Sequence, residues 1–194
     1  MTPSSLRQSV VVEPNAADLM TANEFLSQPQ PGAVPGPVGG TILVREPPGY
    51  LHGIVAARLL LAVANYATAH RLGVAMAAES GFTLFRNPDT VRTPDVAFIR
   101  TERLSSRPID SYPEFAPDLA IEVLSPWDRP ERIRSSIRDW LAAGTRLVWV
   151  VDPVRGLARV YRVDGSESPL TTGDVVDGED VLPGLRLAMS AMCG

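Results

Sequence analysis

Two acidic residues lie inside stretches that otherwise have the composition of buried β-strands. Asp95 stands near the start of Pro94–Arg100 (PDVAFIR), and Glu122 interrupts Asp118–Leu124 (DLAIEVL). A carboxylate among apolar side chains costs free energy unless it is paired, hydrogen-bonded or bound to a metal. The simpler alternative for either acid is a solvated position at a strand end. Because apolar residues flank Glu122 on both sides, that alternative fits Asp95 better than Glu122.

The alternation of the second stretch assigns Glu122 to one face of its strand. Side chains point alternately to the two faces of a β-strand. One face therefore carries Asp118, Ala120, Glu122 and Leu124, and the other carries Leu119, Ile121 and Val123. The second, entirely apolar face is expected to meet the core, so we expect Glu122 to point into a cleft.

The residues that follow this strand predict the element that positions it. In Asp128–Ala143, the apolar residues Ile133, Ile137, Trp140 and Leu141 recur at the spacing of one helix face, and Gly144 ends the segment. Leu147–Val151 (LVWVV) is wholly apolar, which is typical of a central strand. Strand, helix and strand with tight connections predict a parallel pair with a right-handed crossover.

The rest of the chain predicts further strands and two helices around this unit. We expect a flexible tail over residues 1–15 and one domain over residues 16–194. The fold class is α/β, a mixed central β-sheet flanked by helices, with antiparallel edge strands after residue 156. The predicted segments are helices at Ala16–Ser27 and Leu51–Arg71, a loop at Gln28–Pro37, and strands at Thr41–Arg45, Val74–Glu79, Phe82–Phe85, Pro94–Arg100 and Leu157–Arg162.

Composition narrows the class of protein. The chain has 194 residues, a net charge of −4, and a single cysteine, Cys193, which excludes an internal disulfide framework. Neither a secretion signal nor a run of about 20 apolar residues is evident, so we expect a cytoplasmic protein that does not enter membranes.

All 18 basic residues are arginine. The acidic balance argues against strong non-specific binding to nucleic acid, although a local basic cleft remains compatible with it.

Five segments in a fixed order carry a resemblance to a known family. The sequence resembles the Uma-two family of the PD-(D/E)XK, restriction-endonuclease-like superfamily over roughly residues 17 to 163. The matching segments are Leu19–Leu26 (LMTANEFL), Pro47–Gly53 (PPGYLHG), Arg92–Phe98 (RTPDVAF), Ile121–Pro126 (IEVLSP) and Trp149–Pro153 (WVVDP).

The resemblance implies Mg²⁺-dependent hydrolysis of phosphodiester bonds in DNA, with Mn²⁺ as a possible substitute. Asp95 and Glu122 would be the paired metal ligands, brought together on adjacent strands. The carbonyl of Val123 could add a ligand, and Glu79 a third carboxylate, although a glutamate at a strand end is more often solvated. His52 could contact phosphate or carry a proton, a capping or surface role being the alternative. The resemblance also implies a homodimer.

The sequence departs from the family at the lysine and at one acid. The superfamily's lysine, two residues after the glutamate, is Leu124 here. In the family the lysine moves to the following helix, where this chain has Ser136, and the acids near the first strand are replaced by Gly39–Thr41. Arg129 and Arg132 fall on the same helix side as Ser136 and could restore positive charge at a phosphate. Neither could act as a general base, and a solvated helix face is the alternative.

Two other functions therefore stay open. One is a non-catalytic protein that keeps the fold as a DNA-binding or protein-interaction module. The other is a structural partner in an oligomer, using the sheet edge after residue 156. Trp127, Trp140 and Trp149 are most simply interpreted as packing residues.

Overall fold

The computed structural model describes residues 19–27, 33–44, 48–104 and 111–194. The predicted tail and the first residues of the first predicted helix lie outside them. The helices are α1 (Ala22–Ser27), α2 (Tyr50–Ala69), α3 (Pro130–Ala142) and α4 (Met189–Cys193), with a 3₁₀ turn at Thr101–Arg103. The strands are β1 (Ala33–Val38), β2 (Thr41–Val44), β3 (Gly73–Ala77), β4 (Phe82–Phe85), β5 (Thr90–Arg92), β6 (Val96–Arg100), β7 (Leu119–Val123), β8 (Leu147–Asp152), β9 (Leu157–Arg162), β10 (Glu167–Leu170), β11 (Val175–Asp177) and β12 (Arg186–Ala188).

A mixed sheet of six strands forms the centre of the fold. Its order is β10-β9-β8-β7-β6-β3. β7 and β8 pair in parallel, with Glu122 opposite Val150, and α3 connects them as the strand–helix–strand pattern predicts. The remaining pairs of the sheet are antiparallel, including β9 and the edge strand β10. The predicted fold class, a mixed central sheet flanked by helices, is therefore confirmed.

Helices cover both faces of the sheet, and this places the two sides of β7 in different cores. Leu119, Ile121 and Val123 pack in the cluster that contains the buried face of α2. Ala120 belongs to the opposite cluster, with Trp140 of α3. The predicted alternation along β7 thus holds, since successive side chains enter opposite cores.

α2 is the one described helix long and apolar enough, by length and composition alone, to cross a membrane. Such a helix is weak evidence for a membrane protein, because the core helices of soluble proteins pass the same test. Val55, Leu59, Val63 and Ala67 are fully buried on one side of α2 and pack in the core beneath the sheet. α2 therefore packs one of its faces against the sheet, and 22% of its apolar window is buried.

The predicted loop over Gln28–Pro37 is wrong for residues 33–37, while residues 28–32 lie outside the described ranges. Residues 33–38 form β1, which pairs with β2 in a hairpin whose register shifts between Ala33 and Pro37. Gly39 and Gly40 make the turn with φ of 58° and 77°, a conformation that glycine adopts without steric cost. The prolines are tolerated because β1 pairs on one side only and is irregular.

The packing role predicted for the tryptophans holds for two of them. Trp140 and Trp149 are fully buried, whereas the side chain of Trp127 is 80% exposed. Trp127 lies between β7 and α3, outside both cores. The prediction that it packs in the interior is therefore wrong.

Candidate active site

Asp95 and Glu122 lie at the same end of two neighbouring strands. Asp95 directly precedes β6, in which Val96 is paired with Ile121 of β7. The backbone N–H of Asp95 donates to the carbonyl of Ile121 at 2.9 Å. In return, Asp95 Oδ2 accepts a hydrogen bond from the N–H of Val123 at 2.7 Å. The Asp95 carboxylate is therefore fixed beside the residue that follows Glu122.

A histidine from α2 completes the surroundings of Asp95. His52 Nε2 lies 3.2 Å from Asp95 Oδ2, and both side chains are largely buried, with 11% and 17% of their surfaces exposed. His52 stands in the first turn of α2, and α2 packs beneath the sheet. This contact puts His52 against a carboxylate and excludes the purely surface position considered from the sequence.

Two donors from α3 hold the carboxylate of Glu122. The hydroxyl of Ser136 and the indole N–H of Trp140 each donate to Glu122 Oε1 at 2.8 Å. Ser136 and Trp140 are four residues apart, so they lie on the same side of the helix, one turn from each other. Glu122 is only 7% exposed. The expected open cleft around Glu122 is therefore wrong, because α3 covers this face of β7.

The two arginines proposed for the missing lysine occupy different positions. Arg132 is partly buried and forms an ion pair with Asp128, which lies in the turn before α3. Arg129 is exposed and occupies the N-cap position of α3. Both lie at the end of α3 that follows the Glu122 strand. Arg134 is highly exposed and pairs with Glu131.

Besides Asp95 and Glu122, the residues expected to bind a metal were Glu79 and the carbonyl of Val123. Glu79 is exposed and lies just beyond the end of β3 with a φ of 70°. Val123 binds Asp95 through its N–H, so the contact present involves its amide and not its carbonyl. Within the described ranges, no three His, Cys, Asp or Glu side chains form a group placed to hold a metal. Asp95 and Glu122 still offer oxygen ligands of the type that Mg²⁺ prefers, and that ion commonly binds one or two carboxylates and keeps several waters.

Sequence reasoning missed an arginine that joins the same helix to the Asp95 segment. Arg92 in β5 is 6% exposed and donates through Nε to Asp139 Oδ2 at 2.9 Å. Its Nη2 also donates to Asp139, and to Ser135 Oγ at 3.2 Å. The available signal was Arg92 itself, a charged residue three positions before Asp95 in a segment that is otherwise buried. α3 thus contacts both segments that carry the carboxylates.

Comparisons with known proteins agree with this architecture. A family model, Uma2, described as "Putative restriction endonuclease", matches residues 23–190. The fold is similar to the crystal structure of a putative nuclease belonging to DUF820 from Anabaena variabilis, with a TM-score of 0.75 and 21% identity. The similarity covers 90% of this chain and 97% of that one. No protein with a curated description matches the chain.

Proposed function

The chain belongs to the Uma2 family of restriction-endonuclease-like proteins, and from this membership we propose that it is a metal-dependent nuclease that hydrolyses phosphodiester bonds of DNA. One observation carries the proposal. The hydrogen bond from the Val123 N–H to Asp95 ties the first acid to the residue next to the second. The two acids that the family resemblance assigns to a metal are thereby held at one end of two adjacent strands.

Each carboxylate is held by donors before any substrate binds. Asp95 Oδ2 is fixed by Val123 and His52, and Glu122 Oε1 by Ser136 and Trp140. Partners that orient a ligand keep it in the geometry that a metal requires, and losing them typically lowers affinity. A bound Mg²⁺ would supply polarisation of the phosphate and a lower pKa for an attacking water.

The protein's own cations have a limited part in this chemistry. Arg129 and Arg132 at the start of α3 are close in sequence to the Glu122 strand and can attract the phosphates of a substrate. Because guanidinium stays protonated, neither arginine can remove a proton from water. The two arginines therefore supply positive charge, and neither of them is the general base of the proposed site.

The experiment that tests the proposal combines metal binding with cleavage. We expect calorimetric titration to show Mn²⁺ and Mg²⁺ binding to wild type, lost in Asp95→Asn and in Glu122→Gln. We expect cleavage of plasmid and of single-stranded DNA with either metal, lost in the same variants. Glu131→Gln, which changes an exposed acid on α3, serves as the control and should behave as wild type. Wild type that binds no metal and cleaves no DNA with either ion would refute the proposal.

A second function is favoured by the replacement of the lysine. Ser136, at the position that resembles the family's lysine, donates to Glu122 and carries no positive charge. A relative that has lost the cationic group but kept the fold would act as a non-catalytic DNA-binding or protein-interaction module. Binding to DNA that needs no metal and weakens steeply with salt, with no cleavage, would favour this function.

We also propose a cellular location and an oligomeric state for the protein. We expect a cytoplasmic homodimer without membrane attachment, on the family resemblance and on the composition alone. Sedimentation velocity measures the assembly directly, and a monomer at every concentration tested would remove the dimer. The sheet edge at β10 is one surface through which copies could pair, because only one side of that strand is hydrogen-bonded within the described sheet.

A further inference from the structure

Trp127 is placed where packing cannot explain it. Tryptophan is buried on average in folded proteins, and here Trp140 and Trp149 are fully buried. Trp127 instead exposes 80% of its surface. A large apolar ring in water gains nothing for the fold, and isolated rings of this kind are well suited to stacking on a ligand.

Hydrogen bonds on both sides of Trp127 hold the loop that presents it. The N–H of Ser125 donates to Asp128 Oδ2 at 2.7 Å, and the N–H of Asp128 donates back to the Ser125 carbonyl at 3.0 Å. Asp128 also pairs with Arg132 in the first turn of α3. The indole is therefore carried by an ordered turn, so little conformational entropy is lost when a ligand stacks on it.

A second exposed aromatic residue lies at the same end of the fold. Tyr50, the first residue of α2, exposes 87% of its surface. Two residues later, His52 contacts Asp95, and Asp95 is bonded to Val123, four residues before Trp127. Both exposed rings thus stand on segments that lead directly from the paired carboxylates.

We propose that Trp127 and Tyr50 are stacking surfaces for unpaired bases next to the carboxylates, and that the substrate is single-stranded DNA or a single-stranded segment. This inference rests on the proposed nuclease function and names its substrate class. Bases in a duplex are already stacked and paired, whereas every unpaired base offers a face to an aromatic ring. Arg129, two residues after Trp127, is an exposed cation at the start of α3, and cations of this kind attract a nucleic-acid backbone.

Binding without metal tests the inference separately from cleavage. Fluorescence anisotropy in EDTA would compare a labelled single strand of about 12 nucleotides with a duplex of the same sequence. We expect the single strand to bind at least about tenfold more tightly, and Trp127→Ala to lose about tenfold of that affinity. Trp127→Phe should recover most of it, because a phenyl ring still stacks. Tyr50→Ala should also weaken binding relative to wild type. Leu61→Ala changes an exposed apolar residue further along α2 and should leave the affinity unchanged.

Intrinsic fluorescence locates the bound bases. Since Trp140 and Trp149 are fully buried, quenching by an unlabelled single strand reports on Trp127. Equal affinity for single strand and duplex, unchanged binding by Trp127→Ala, or no binding by wild type would each overturn the inference. Stacking that persists while no metal supports cleavage would keep the stacking surface but refute the nuclease, and with it the substrate assignment. Cleavage that is unchanged in Trp127→Ala would keep the nuclease and refute the stacking surface.

Discussion

The indole N–H of Trp140 and the hydroxyl of Ser136 converge on a single oxygen, Glu122 Oε1, each at 2.8 Å. A side chain predicted only to pack is thus also a hydrogen-bond donor to one of the two candidate ligands. We expect Trp140→Phe, which keeps an aromatic ring but removes the donor, to weaken Mn²⁺ binding about tenfold, because the carboxylate loses an orienting partner. Isothermal titration calorimetry measures the affinity directly.

The other buried tryptophan supplies a matched control for this variant. Trp149 is also fully buried, but its Nε1 has no hydrogen-bond partner in the described part of the chain. Trp149→Phe therefore reproduces the change in ring volume without removing a hydrogen bond. If both variants bound Mn²⁺ equally well, Trp140 would have only a packing role. Thermal unfolding of each variant shows whether the fold is kept.

The sequence was sufficient for the features that follow a regular period. Alternation along β7 and the helical spacing in α3 predicted the parallel pair β7–β8 and the side of the strand that carries Glu122. These features depend on local geometry, which the order of apolar and polar residues determines.

The features that the sequence did not reveal depend on contacts between distant segments. The segment that forms β1 was predicted as a loop because it is rich in proline and glycine. It becomes a strand because it pairs with β2 in a hairpin. The burial of Glu122 depends on how α3 packs over β7, which no local pattern specifies. The partnership of Arg92 with Asp139 joins residues far apart in the chain, so neither residue alone predicts it.

Breaking the Arg92–Asp139 pair is expected to destabilise the protein more than breaking an exposed pair on the same helix. Arg92 is 6% exposed, so Arg92→Met leaves Asp139 without its partner in a partly buried position. We expect a loss of about 2–3 kcal/mol in the free energy of unfolding. Arg134→Met, which removes the exposed partner of Glu131, should cost less than about 1 kcal/mol. Urea denaturation measures both, and equal losses would contradict the assignment.

Asp89 is expected to make the attachment of α1 sensitive to acid. Burial by itself raises the pKa of Asp89, but hydrogen bonds from the Ala22 N–H and from Arg86, together with the charge of Arg86, lower that pKa overall. A carboxyl whose pKa is lowered by folding contributes stability above its unfolded pKa of about 3.9. That contribution is lost as the pH falls through the folded pKa.

Asp89→Asn isolates this effect. We expect the variant to be about 1–2 kcal/mol less stable than wild type at pH 7. The difference should stay constant down to about pH 5 and shrink below about pH 4, because the unfolded wild type then takes up the proton while the folded protein still excludes it. Urea unfolding at a series of pH values follows both proteins. A difference that is the same at pH 3.5 and pH 7 would show that charge is not its source.

Placing a lysine at position 136 tests whether the cationic group that the family resemblance implies there limits the proposed nuclease. Ser136 is 4% exposed and its hydroxyl lies 2.8 Å from Glu122, so a lysine there would carry its ammonium group close to the carboxylate pair. A buried lysine is tolerated when a carboxylate pairs with it. If the protein is a nuclease limited by the missing cation, Ser136→Lys should raise metal-dependent DNA cleavage about 100-fold.

Ser136→Met is the matched control for Ser136→Lys, because the methionine side chain has a similar length and no charge. Both substitutions remove the hydroxyl and crowd α3 against β7, so thermal unfolding should shift by a comparable amount in the two variants. Only the lysine variant should gain cleavage, and adding Glu122→Gln to it should abolish the gain. Equal cleavage by the lysine and methionine variants would mean that the absence of a cation is not what limits this site. The non-catalytic binding function would then account better for the replacement of the lysine by Ser136.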